Sequence, residues 1–141
     1  MAEYSNVSLQ SVAQNANVLF SETPFCCTRG YITHREGSGI FRLKGATNQC
    51  RALYKVWFGG NIAIPTGGTV APISLAITID GEPLGTSTAI ATPAAVEEYT
   101  NVSVAAYIPV DRGCCVTVAI ENTSDQAIDI TNANLIIERV A

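Results

Sequence analysis

ISLAITIDGEP, residues 73–83, decides the fold class. Ile73, Leu75, Ile77 and Ile79 alternate with Ser74, Ala76 and Thr78, the period-2 pattern of a strand with one face buried. Asp80-Gly81 follows at once, and a second extended run begins at Glu82. Asp-Gly between extended runs suits a two-residue hairpin turn, because glycine takes positive φ without a steric cost. The stretch therefore predicts an antiparallel hairpin.

The same grammar repeats along the chain. Asn17–Phe20, Tyr31–His34, Ile40–Lys44, Arg51–Phe58, Asn101–Val110, Cys114–Glu121, Ile128–Ile130 and Asn134–Val140 are short β-branched or aromatic runs. They are cut by turn residues such as EGSG at 36–39, Gly59-Gly60, PTGGT at 65–69 and NTSDQ at 122–126. The segment 85–97 reads equally as a weak edge strand broken at Pro93 or as a long loop. Residues 1–16 read as an N-terminal arm or a first strand. Helical spacing is nearly absent. The expectation is all-β: one domain over residues 1–141 whose nine or ten short strands make an antiparallel sandwich or barrel.

Composition narrows the function classes. Of 141 residues 48% are hydrophobic and only 14% charged, which excludes a disordered chain and implies a packed fold with a rather apolar surface. A formal charge of −4 without a Lys/Arg run argues against nucleic acid or an anionic membrane as partner. No stretch reaches the ~18 apolar residues that span a bilayer. MAEYSNVSLQ lacks a basic segment followed by an apolar one, so the expectation is synthesis in the cytoplasm without a secretion signal. The sequons at Asn6, Asn101 and Asn122 then carry no weight.

Candidate chemistry is sparse. Five cysteines occur, as Cys26-Cys27 in CCTRG, Cys114-Cys115 in RGCC, and Cys50. On a strand, neighbouring residues face opposite sides, so a vicinal pair presents two thiolates to one metal ion poorly. The main reading is buried packing; a disulfide from Cys50 to one member of a pair and a metal site stay open. His34 is the only histidine and sits before a turn, which favours a solvated strand end; three copies on a trimer axis are the remaining route to a metal. No G-x-S-x-G elbow accompanies any serine, and no catalytic residue, metal site or cofactor is expected. Glu97-Glu98 beside Tyr99 reads as a solvated loop, with a calcium or sugar site as the sharper alternative. Loops 60–72 and 82–98 are the expected places for recognition.

PISLAITIDGEPLGTS (72–87), NVSVAAYIPVDRGCCVTVAIENTS (101–124) and ITNANLIIERV (130–140) together resemble the C-terminal half of the jelly roll of the tumour-necrosis-factor and complement-globular-head superfamily. The runs IDGEP, VSVAAYIPV, RGCCVTVAIEN and ANLIIERV are most similar to its bacterial and phage branch, which includes the heads of exosporium collagen-like glycoproteins. SVAQNANVLF and GSGIFRLKG resemble the family's opening strands. Cys114 stands where that branch often has an acid after glycine, and no collagen repeat precedes the domain.

The resemblance implies an all-β, antiparallel jelly-roll sandwich of about ten strands, and a homotrimer with one sheet of each protomer around the three-fold axis. Tyr54, Trp57, Phe58 and Tyr107 are the candidate interface side chains, with burial in the protomer's own core as the alternative for each. Trp57 and Phe58 are adjacent, so alternation lets only one of them face that core. Three functions follow as expectations: a virion structural protein, meaning a small trimeric capsid decoration or fibre-head domain that contacts other virion proteins; an adhesin head that grips a cell-surface glycan or receptor; and a spore-surface protein.

Overall fold

The structure is a computed structural model that describes residues 2–25, 30–113 and 115–141. Among these residues there is no helix and there are eleven strands: β1 (Ala2–Asn6), β2 (Gln10–Val12), β3 (Glu22–Phe25), β4 (Ile32–His34), β5 (Phe41–Lys44), β6 (Arg51–Ala63), β7 (Ile73–Ile79), β8 (Glu82–Ala91), β9 (Thr100–Asp111), β10 (Cys115–Asn122) and β11 (Ile128–Arg139). One sheet runs β3-β1-β11-β6-β9, with β2 beside β1 on the same flank of β11; the other runs β4-β5-β10-β7-β8. Every pairing is antiparallel. The chain is a jelly-roll sandwich.

The opening hairpin forms as its sequence requires. Asp80 (φ 52°) and Gly81 (φ 87°) are both left-handed, the geometry of the two-residue turn whose twist matches its strands. Thr117 of β10 donates from its backbone N–H to Asp80 Oδ1 at 2.9 Å, so the turn is docked on the sheet. Pro83 lies in β8 opposite Thr78, where it is tolerated because β8 is an edge strand. The undecided segment is thus resolved: strand to Ala91, loop beyond it.

Inward residues of the two sheets meet in one core. Phe20 lies 5.5 Å from Phe41 and 6.3 Å from Phe58 between ring centroids, and Tyr4 lies 4.6 Å from Phe41. Ile62, Leu75, Ile77, Ile120, Leu135 and Ile137 fill the remainder, all fully buried. Asn122 is buried too, with its amide donating to the carbonyls of Val12 (3.0 Å) and Gln126 (2.9 Å) and its oxygen accepting from Ser124 N–H (2.9 Å). A buried amide so satisfied tolerates burial, and its sequon is inside the fold.

Three expectations are corrected. Asn17–Phe20 is not a ladder strand; only Asn17 bridges to Glu121, although Val18 and Phe20 are core residues. The Gln10 amide occupies the place of a partner strand, accepting from Leu19 N–H and donating to Leu19 C=O at 3.0 Å each. Gly59-Gly60 does not end its strand, since β6 continues to Ala63 with β11 and β9 on its two sides. Ile128–Ile130 and Asn134–Val140 are one strand, β11, whose register shifts between Thr131 and Asn134 at left-handed Asn132 (φ 54°).

Candidate interaction face

Strand β6 carries the site. Along it Ala52, Tyr54, Val56, Phe58, Gly60 and Ile62 are buried, while Lys55, Trp57, Gly59 and Asn61 face outward. The outer row through Trp57 runs from Glu3 of β1 through Ile136 of β11 to Ala105 of β9, and the next row joins Glu138, Lys55 and Tyr107. Trp57, on β6 between β11 and β9, is 50% exposed and Tyr107, on the edge strand β9, 61%, large values for aromatic side chains. Lys55 Nζ sits 5.7 Å from the centroid of the Trp57 ring.

Two of the four interface candidates are therefore corrected. Tyr54 and Phe58 are fully buried within the protomer, because both occupy the inward phase of β6. Tyr54 donates its hydroxyl to Lys44 C=O at 2.6 Å; burial pushes its pKa up, partly opposed by the nearby Arg139 guanidinium. Trp57 and Tyr107 occupy the outward phase. Alternation alone predicted that Trp57 and Phe58 would part company.

Beside Trp57 the face dips into a hollow of about 470 Å³. Its floor is Gly59, which stands opposite Asn134 on one side and Ser103 on the other; no atom lies within 4 Å of where a Cβ would be. Asn61, Asn101 and Asn132 complete its rim. Asn101 Nδ2 donates to Asn61 Oδ1 at 3.0 Å, and Asn134 Nδ2 donates to Glu3 Oε2 at 2.7 Å. Sequence reasoning missed the hollow, since its lining comes from three strands far apart in the chain. Gly59 was its one local signal, misread as a turn.

The remaining candidates lie elsewhere. His34 is not a solvated strand end: its ring stacks on Phe41 at 4.2 Å, meets the Tyr4 ring at 4.8 Å and holds Ser38 C=O at 2.8 Å through Nε2. Cys50 is exposed, and Cys115 Sγ accepts from Arg42 Nη2 at 3.0 Å. Cys26, Cys27 and Cys114 lie outside the described residues. Among the described residues no cluster of three or more His, Cys, Asp or Glu could hold a metal ion.

In the loop after β8, Glu97 Oε1 accepts from Thr66 Oγ1 at 2.5 Å. Burial first, and the Glu97 carboxylate second, raise the pKa of Asp129. Burial likewise raises that of Tyr99, with Asp129 and then Glu97 adding to it. Much of the expected recognition loops 60–72 and 82–98 is strand, leaving 64–72 and 92–99 as connections.

Fold and face together define a two-sheet antiparallel jelly roll whose distinguishing surface is the outer side of the β1-β11-β6-β9 layer. In structure it is similar to murine APRIL, at a TM-score of 0.65 and 10% identity over 97% of this chain and 98% of that one. It is similar also to the globular domain of the zebrafish complement 1qA protein, at a TM-score of 0.59 and 14% identity over 99% and 97%. At such identities the likeness is one of fold. No protein-family model matches the sequence, and no curated protein matches it.

Proposed function

We propose that this chain is a non-enzymatic structural protein of a bacteriophage particle, a capsid decoration or fibre-head domain that assembles as a homotrimer through the Trp57–Tyr107 face. The observation that carries self-association is that face: two aromatic rings at least half exposed, Trp57 on β6 and Tyr107 on the edge strand β9, with Ile136 and Ala105 beside Trp57. A closed ring of three copies would cover it on every protomer. The virion setting is supported by the resemblance of the strands from Ile73 onward to the bacterial and phage branch of this fold. In this reading the protein is made in the host cytoplasm and ends on the particle, contacting capsid or fibre subunits through surfaces other than the trimer face.

Two measurements test the proposal. Native mass spectrometry is expected to give three times the 14.9 kDa protomer mass. Cosedimentation with purified particles lacking the protein is expected to saturate. A monomer would refute the assembly, and a trimer with no affinity for any capsid or fibre component would refute the virion role.

A further inference from the structure

We infer that the hollow floored by Gly59 is a binding site for a neutral saccharide, with the Trp57 ring as its stacking wall. This goes beyond self-association and competes with it: Trp57 belongs to the face that the proposed trimer covers, so the sugar is bound by the dissociated protomer. Its volume, about 470 Å³, lies within the roughly 300–1,000 Å³ of small-molecule sites.

Three properties select the ligand class. A pyranose has a C–H face that packs on an aromatic ring, and Trp57 offers such a wall half uncovered. Its hydroxyls both donate and accept, which calls for groups that do the same, and asparagine amides are such groups. The Asn101–Asn61 hydrogen bond fixes both amides and leaves Asn61 Nδ2 as a donor and Asn101 Oδ1 as an acceptor for a ligand; Ser103 adds a hydroxyl from the neighbouring strand. The third property is charge.

No described residue lining the hollow is ionised. The two charges that flank the lining oppose each other, the Glu3 carboxylate bonded to Asn134 and the Lys55 ammonium 5.7 Å from the Trp57 ring centroid, so no net charge at the hollow selects an anionic sugar. Gly59 matters because its missing side chain lets a flat ring approach the backbone between Asn134 and Ser103. A larger side chain there would occupy the hollow without straining the backbone, since its φ is not left-handed.

Trp57 is the only tryptophan, so its emission reports on the site directly. At a dilution where native mass shows the protomer, the protein is titrated with methyl glucosides, galactosides and mannosides and with N-acetylglucosamine, using sialyllactose as the anionic comparison. The expected result is a saturable shift in Trp57 emission for at least one neutral sugar, with a Kd of about 1–10 mM, and weaker binding of sialyllactose.

Gly59→Leu is expected to weaken binding at least tenfold while unfolding temperature and native mass stay unchanged. Asn61→Ala and Asn101→Ala test the same point should the leucine variant fail to fold, each expected to weaken binding about tenfold. The inference is overturned if no sugar gives a saturable shift up to about 50 mM, if Gly59→Leu or the two alanine variants bind as the parent does, or if sialyllactose binds best. Native mass is read at each sugar concentration, where a sugar that binds is expected to lower the trimer fraction; a trimer whose dissociated protomers bind no sugar leaves the assembly proposal standing and overturns this one, and a sugar-binding monomer does the reverse.

Discussion

Trp57 and Phe58 are neighbours in sequence and opposites in environment, and that contrast can be measured. Phe58→Ala removes a ring that is fully buried between the sheets, in edge contact with Phe20. The expected loss is about 3–5 kcal/mol, the transfer free energy of the ring plus the cavity it leaves. For a chain of this size about 1 kcal/mol moves the unfolding temperature by roughly 3–4 °C, so the variant should melt about 9–20 °C lower. Trp57→Ala removes a ring already 50% exposed, so only about half of a burial worth ~3 kcal/mol is lost from the protomer. Its melting temperature should fall by about 5 °C.

Circular dichroism at one fixed protein concentration is the assay, because association makes melting temperature depend on concentration. Trp57→Ala should show its larger effect in native mass, where the trimer should dissociate at lower dilution than the parent. If Trp57→Ala were as destabilising as Phe58→Ala in the dissociated protomer, Trp57 would be a core residue. The inward and outward phases of β6, and every row of the outer face, would then be wrong.

Tyr54→Phe should lower stability by about 1–2 kcal/mol in denaturant unfolding, because Lys44 C=O loses its 2.6 Å donor; an unchanged midpoint would contradict the bond. Asp129→Asn should raise stability at pH 7 and leave it nearly unchanged at pH 3. Its folded pKa is raised, so the protonated carboxyl is the one the fold favours: that stabilisation is full below the ordinary value of 3.8 and is lost as pH rises through the raised value. A variant less stable than the parent at pH 7 would refute the shift. Gly81→Ala should cost about 1 kcal/mol through left-handed strain at the β7–β8 turn, read as a lower denaturant midpoint.

The central hairpins were legible because their physics is local. Ile73–Ile79 alternates, Asp80-Gly81 supplies the only backbone that turns the chain in two residues, and the two faces of Trp57-Phe58 follow from the pleat. The N-terminal strands were only half legible, with residues 1–16 read as an arm or a first strand and β3 not foreseen, because their partners are distant: Ala2 pairs with Ile137, and AEYSN and ETPF are not β-branched runs that announce a strand. NVLF misled in the other direction, since its alternation is that of a core segment whose backbone hydrogen bonds are divided among Ile120, Ser38, Gly37 and, at Leu19, a glutamine side chain. Gly59 reads as a breaker until β11 and β9 are seen on its two sides. Which of the strand aromatics faces out depends on register, and Tyr54 and Tyr107 differ only in that. The family resemblance named the sheet class, but the hollow joins residues 59, 103 and 134 across three strands and has no linear signature.

The most direct test of self-association through the outer face is the native mass of the unmodified protein across dilution, followed in parallel by Trp57 emission. The account predicts a species of three protomers whose dissociation shifts the emission to the red as the ring meets water. A monomer at all concentrations, or a trimer whose dissociation leaves Trp57 emission unchanged, would contradict it.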